Sequence, residues 1–320
     1  MLNREYRGHG YSGVATFARQ PLHIDIDNID ADVAVIGIPF ENTMGRTGAR
    51  LGPRGIRDGS SGGYNEVVRG AWRLEQRDVY FGAPWRLVDC GDVPISGSDF
   101  EPSFSYVRDW VSRAAKSKAL LVFLGGDHAI TTPVVEALTD RGPFGIVHID
   151  AHLDWAGVEG RQYGHESPLR RCSELSHVLG MAQLGIRYST FSAKEDYLDA
   201  ERYGSVILTP RQLRQLGTKG VLERIPKFDR YYVTIDIDGM DPSIAPGTGA
   251  LSPGGLLYDE TRDLLEGVAR LGHIVGFDVV EVAPQLDTSD MTSHLAARLI
   301  LDFAGFILKE RERRGEKPRY

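Results

Sequence analysis

Short apolar runs rich in β-branched residues recur along the chain at residues 32–39, 87–91, 119–125, 144–150, 182–187, 205–208, 230–236 and 273–280. Stretches with a helical spacing of apolar positions lie among them, the clearest at 104–118, 132–139, 258–271 and 292–311. A strand apolar along its whole length is buried on both faces, and such strands alternating with helices build a parallel sheet covered on each side. The pattern predicts an α/β fold: a three-layer α/β/α sandwich around a central, mainly parallel, eight-stranded sheet. No Pro/Ser-rich linker, charge block or internal repeat divides residues 1–320, so one domain is expected. The longest apolar run, 295–308, is interrupted by Arg298 and Asp302. It is too short and too charged for a bilayer span and is expected to be a buried amphipathic helix.

Polar residues collect where three of the apolar runs end. The run 121–124 leads into Gly125-Gly126-Asp127-His128, the run 146–149 into Asp150-Ala151-His152-Leu153-Asp154, and the run 231–235 into Asp236-Ile237-Asp238-Gly239-Met240-Asp241. These are carboxyl ends of strands, the edge on which open parallel sheets place their ligands. In an extended segment alternate side chains point the same way, so Asp150, His152 and Asp154 can face one point, as can Asp236 and Asp238.

With His128 this gathers four carboxylates and two imidazoles in one small volume. Desolvating each charge costs several kcal/mol and like charges repel, so the group is stable only around cations. Each segment alone has a plainer reading: a lone Asp-x-His is often a cap or solvated loop, and Gly-Gly-Asp-His could be a turn feeding a helix. The three together, each behind an apolar strand, point to divalent metal. Mixed nitrogen and oxygen ligation without thiolate favours Mn2+ first, then Ni2+, with Co2+ or Zn2+ also compatible. Asp127 and Asp241 have the wrong spacing for ligation and are expected to accept hydrogen bonds or form turns.

Composition narrows the class further. The net charge of −7 argues against nucleic acid and is compatible with a small cationic substrate. Two distant cysteines, Cys90 and Cys172, make neither a disulfide scaffold nor a thiolate site, and the polar start shows no signal-peptide pattern. A soluble, cytoplasmic protein that does not engage a membrane is the expectation. The basic tail 309–319 reads as a solvated helix end.

The segments Gly-Gly-Asp-His, Asp-Ala-His-Leu-Asp and Asp-Ile-Asp-Gly-Met-Asp-Pro resemble, in order, the three signature segments of the ureohydrolase (arginase/agmatinase) family. The likeness extends through 10–17, 48–57, 245–249 and 278–282 and is to the agmatinase-like branch. It implies an arginase-like fold and a metal-dependent amidinohydrolase that cleaves a guanidino C–N bond to urea and an amine. Asp150 and Asp236 would bridge two divalent ions, His128 and Asp154 would complete one site, and His152 and Asp238 the other. A hydroxide shared between metals about 3.5–4 Å apart would attack the guanidinium carbon. Glu281 resembles the acid that grips the guanidinium. His165 resembles a mobile histidine that passes a proton to the leaving amine. Homotrimers or homohexamers are implied.

Two loops depart from the agmatinase-like pattern. His165 is followed by Glu166-Ser167-Pro168 where Gly-Thr-Pro is usual, and residues 42–48 carry Asn42, Gly45 and Thr47 at positions that differ. Loops carry specificity on a fixed scaffold. The expectation is an altered substrate pocket in which Glu166 binds a second cationic group or the guanidinium itself; the alternative is that Glu166 points to solvent and stiffens the loop. Candidate substrates are guanidine, guanidino acids and biguanides such as metformin rather than agmatine. A different class, a non-catalytic ureohydrolase-fold subunit partnering an active paralogue, would be expected to have lost ligands, and none of the six is missing.

Overall fold

A computed structural model describes residues 12–42, 45–97, 99–157, 163–187 and 192–319. Gly10 and Tyr11 of the opening motif and Thr43 and Met44 of the first loop lie outside them.

In chain order the strands are β1 (Val33–Ile38), β2 (Ala71–Arg73), β3 (Asp78–Phe81), β4 (Leu87–Asp92), β5 (Leu120–Gly125), β6 (Phe144–Ile149), β7 (Val178–Leu184), β8 (Val206–Leu208), β9 (Arg230–Asp236) and β10 (His273–Val280). The α-helices are α1 (Gly52–Gly59), α2 (Tyr64–Arg69), α3 (Phe100–Ala115), α4 (Thr131–Ala137), α5 (Pro168–Ser173), α6 (Lys194–Tyr203), α7 (Pro210–Arg224), α8 (Tyr258–Leu271) and α9 (Met291–Arg313). Eight strands form one sheet in the order β4-β1-β5-β10-β9-β6-β7-β8, and every pairing is parallel. The other two make an antiparallel hairpin.

Side-chain alternation sends each strand into two separate cores. Val33, Val35, Leu120, Val122, Leu124, Val147, Ile149, Val233 and Ile235 pack with α1, α7, α8 and α9. Ala34, Ile36, Leu121, Phe123, Ile146 and Tyr232 pack with α3 to α6 on the other face. Both faces are dry, which is why these strands are apolar throughout. Helix α9 is long and apolar enough to cross a membrane, but 78% of its most apolar window is buried inside the protein, as the amphipathic reading expected. Its interrupting charges are consumed internally: Arg298 and Asp302 pair, and Asp302 accepts from Tyr80 and from Tyr258 at 2.5 Å.

Register brings the functional strand ends level. Leu124, Val279, Ile235 and Ile149 pair across the four adjacent central strands β5-β10-β9-β6. Residues just beyond these positions must therefore meet at one edge.

Candidate metal centre

The chain leaves each central strand by a different device. Beyond β5, Gly126 lies so close to β1's exit that a Cβ there would stand 1.8 Å from the Phe40 carbonyl oxygen, so only glycine fits. Asp127 then caps a 3-10 turn by accepting from the Ala129 N–H at 3.2 Å, which presents His128. Its other oxygen accepts from the Asn42 N–H at 2.6 Å. Beyond β6 the extended geometry stops at Ile149, and Asp154 adopts a left-handed φ of 53°. Beyond β9, residues Ile237–Gly239 form a 3-10 turn capped by Asp236, so Asp238 reaches the site by the turn and not by strand alternation. Asp241 accepts from Ser243, Gly254 and Gly255 and is a turn former. Glu281 follows β10 with φ 62°. A positive φ at a non-glycine residue costs about 1–3 kcal/mol and persists where the surroundings dictate it; here two candidate functional residues carry it.

The six His and Asp side chains converge and are all buried. Nδ1 of His128 lies 2.8 Å from Asp154 Oδ2, 3.2 Å from Asp150 Oδ2 and 3.3 Å from Asp236 Oδ2. Nδ1 of His152 lies 3.1 Å from Asp238 Oδ2 and 3.4 Å from Asp150 Oδ1. Two overlapping groups, His128, His148, Asp150 and Asp154 on one side and Asp150, His152 and Asp238 on the other, share Asp150, and Asp236 adjoins the first through His128. Backbone amides fix the carboxylates: His152 N donates to Asp150 Oδ1 at 2.6 Å, Asp238 N to Asp236 Oδ1 at 2.8 Å, and Ala151 N to Asp238 Oδ1 at 3.2 Å.

Charges in this volume conflict unless a cation joins them. Burial raises Asp236 well above the ordinary carboxylate value, and Asp238 and Asp150 push it further. Burial and Asp150 raise Asp238 to about 6. Burial opposes ionisation of Asp150 too, but His148, His128 and His152 outweigh it and hold that carboxyl well below its usual range. Burial would lower His152, yet Asp238 and Asp150 raise it to about 12. The same balance against Asp154, Asp150 and Asp236 lifts His128 well above normal.

One contact decides what fits. His128 Nδ1 is buried, faces three carboxylate oxygens and makes no well-formed hydrogen bond to any. One proton cannot serve three acceptors, whereas a divalent ion accepts the nitrogen lone pair and several oxygens together. The hydrogen bond on the other ring nitrogen agrees. Thr234 Oγ1 donates its only hydrogen to Asp278 Oδ1 at 2.5 Å, so it accepts from His128 Nε2–H at 2.9 Å. With its hydrogen on Nε2 so engaged, the neutral ring would aim the Nδ1 lone pair at the carboxylates, where a cation would take the place of a second ring proton. Asp278 also accepts from Thr131 at 2.9 Å and Tyr232 at 2.6 Å.

Of the remaining candidates, Glu281 abuts the centre and His165 lies near Asp127. Glu281 Oε1 accepts from the His128 N–H at 2.9 Å, and burial together with the Asp127 charge raises its carboxyl well above normal. His165, on the loop before α5, is close enough for its charge to act on Asp127. Its Nδ1 is 3.5 Å from Glu166 Oε2, and the Glu166 side chain is only 17% exposed, folded back over Gly164. Glu166 therefore does not point to solvent, and its buried Oε2 has no hydrogen-bond partner among the described residues.

Sequence reasoning passes over Thr234, Asp278, His148, Gln183 and Arg187. The first four are polar residues inside otherwise apolar strands, which is the available signal. Arg187 donates to the carbonyls of Asp238 at 2.8 Å, Gly185 at 3.1 Å and Gly239 at 3.3 Å, fastening the turn that carries Asp238.

Comparison with known proteins gives the same picture. The sequence model of the arginase family matches residues 31–305. Guanidinopropionase of Pseudomonas aeruginosa is 32% identical over 91% of this chain and 91% of its own. Proclavaminate amidinohydrolase of Streptomyces clavuligerus is 35% identical over 90% of this chain and 91% of its own. Its solved structure has a TM-score of 0.83, covering 94% of this chain and 99% of that one. Agmatinase of Edwardsiella ictaluri is 33% identical over 89% of this chain and 91% of its own.

Proposed function

We propose that this chain, which belongs to the arginase family, is a metal-dependent amidinohydrolase that releases urea from a small cationic guanidino compound at a binuclear centre of His and Asp ligands. The observation that carries this reading is the buried His128 Nδ1 facing three carboxylate oxygens at 2.8–3.3 Å. His128 and Asp154 would hold one ion, His152 and Asp238 the other, and Asp150 and Asp236 would serve both, with Mn2+ the first candidate and Ni2+ the second. Homotrimers or homohexamers are the proposed assembly, and the cytoplasm the proposed location.

When bound, the divalent pair supplies Lewis acidity and a water made acidic enough to ionise near neutral pH. The chain's own residues do the rest. Glu281, anchored by the His128 N–H, accepts two N–H groups of the guanidinium and orients its carbon toward the centre. Burial raises the Glu281 carboxyl, and a cation bound there would oppose that shift. His165, near Asp127, would hand a proton to the departing nitrogen, so that a neutral amine leaves.

Substrate choice is assigned to the loop around Glu166. Among the described residues its buried Oε2 beside His165 has no hydrogen-bond donor, and a second cationic group or a biguanide nitrogen would supply one. The relatives named above are a guanidinopropionase, a proclavaminate amidinohydrolase and an agmatinase; agmatine is not the proposed substrate here. Urea release from agmatine, guanidine, guanidinopropionate, guanidinobutyrate, arginine and metformin, each offered to the metal-loaded protein, tests this. A clear preference for a compound other than agmatine is expected. Faster turnover of agmatine than of all the others would refute the altered pocket, and urea from none would refute the activity.

A further inference from the structure

One polar row crosses the buried sheet just beneath the centre. Asp278, Thr234, His148 and Gln183 pair side by side on β10, β9, β6 and β7. Asp236 and Asp150 lie two residues further along β9 and just past β6, on the same face. The half of this row formed by Asp278 and Thr234 orients His128. His148 and Gln183 form the other half and have no part in the mechanism above.

Their hydrogen bonds can be directed without ambiguity. The Leu153 carbonyl can only accept, and it lies 2.6 Å from Gln183 Nε2, which fixes that atom as the amide nitrogen. Gln183 Oε1 accordingly accepts from Ser205 Oγ at 2.9 Å. The second amide hydrogen points to His148 Nδ1 at 3.2 Å, so Nδ1 is the acceptor and the ring proton sits on Nε2. Nε2–H then donates to Asp150 Oδ2 at 2.7 Å. Ser205, Gln183 and His148 are all buried.

His148 lies within ligating distance of His128, Asp150 and Asp154 and so could be taken for a further ligand. Its two nitrogens are already committed, one to Gln183 and one to Asp150. We propose that His148 is a positioning residue: the chain Ser205–Gln183–His148 delivers one N–H to the carboxylate shared by both metals, fixing its rotation and tempering its charge. The inference rests on the binuclear reading above. It adds that the shared carboxylate is tuned from β7 and from Ser205, the residue just before β8, neither of which donates a ligand.

The test measures divalent-metal affinity by competition with a chromophoric chelator, using Mn2+ and Ni2+, on full-length wild type, His148→Phe, His148→Gln, Gln183→Leu and Ser205→Ala, with metal-free thermal midpoints alongside. A glutamine at 148 can place its amide N–H near the position of Nε2, whereas phenylalanine cannot. Partners of ligands commonly change metal affinity by about 10–100-fold. H148F is expected to bind in that range more weakly than wild type, H148Q within a few-fold of it, and Q183L between the two, without midpoints that track affinity. Equal affinity for H148F and wild type overturns the proposal and leaves the binuclear reading standing. H148Q as weak as H148F, or affinity losses that follow metal-free midpoints, would show mere packing. A wild type that binds neither metal would overturn both readings.

Discussion

His128 Nε2 and Thr234 Oγ1, 106 positions apart, meet at 2.9 Å across the strand that separates β5 from β9. The strand between them contributes Asp278, which takes the Thr234 hydrogen and so makes the hydroxyl an acceptor toward the histidine. Replacing Thr234 by valine removes both functions of that oxygen while keeping shape. An unsatisfied buried donor or acceptor costs about 1–3 kcal/mol, and T234V is expected to lower metal affinity by about 10–100-fold. T234S should retain it. Chelator competition reads the difference, and T234V binding as tightly as wild type would remove Thr234 from the account.

Removing a shared ligand should be more damaging. In D150N the carboxylate common to both groups becomes an amide and loses the charge that offsets two divalent ions. Bound metal is expected to drop below one ion per chain and urea release by at least about a thousandfold. The expected result for D236N is similar, read by elemental analysis of gel-filtered protein.

The metal-free protein should show an inverted acid response over a narrow window. Asp238 and Asp127 are each raised to about 6, chiefly by burial, from an ordinary value of 3.8. A raised carboxyl contributes stability that is complete below the unfolded value and is lost as pH climbs through the folded one. Stability of chelator-treated protein should therefore fall between about pH 4 and 6, by on the order of 3 kcal/mol for each such isolated shift. Saturating metal should abolish the share that comes from Asp238, because ligation requires its deprotonated form. Thermal midpoints with and without metal at several pH values check it; a midpoint that rises with pH in the metal-free protein contradicts it.

Glu166 invites a direct exchange. E166G restores the small residue usual at this place and opens the space the carboxyl occupies over Gly164. It is expected to shift preference toward agmatine by about tenfold or more in kcat/KM, with metal content unchanged. An unaltered substrate order would free the loop from the specificity role.

Much of this architecture is legible in the chain. All eight sheet strands are anticipated because burial on both faces leaves no polar gaps to blur them, and the apolar spacing gives α8 at its observed bounds. The start of β7 falls four residues earlier than expected, since Val178–Leu184 contains two weak strand formers, Gly180 and Gln183. The hairpin β2–β3 escapes notice because three- and four-residue strands show no period. Helix α7 escapes it because Gly217 and Gly220 interrupt the pattern, although Thr209 and Gln212 form a readable capping box at its start. At the site, ligands at strand ends announce themselves, but their hydrogen-bond partners do not. Thr234, His148 and Gln183 act through register between strands far apart in sequence, and register is a property of the folded sheet.

If the carboxylate and imidazole cluster closes around a pair of metals, the stoichiometry of uptake must show it. Titrating chelator-stripped protein with Mn2+, and counting ions retained per chain after gel filtration, is the most direct measurement. Saturation at about two ions per chain is the expected outcome, with urea release appearing only as the second is taken up. Saturation at one ion, or no retention at all, would contradict the account.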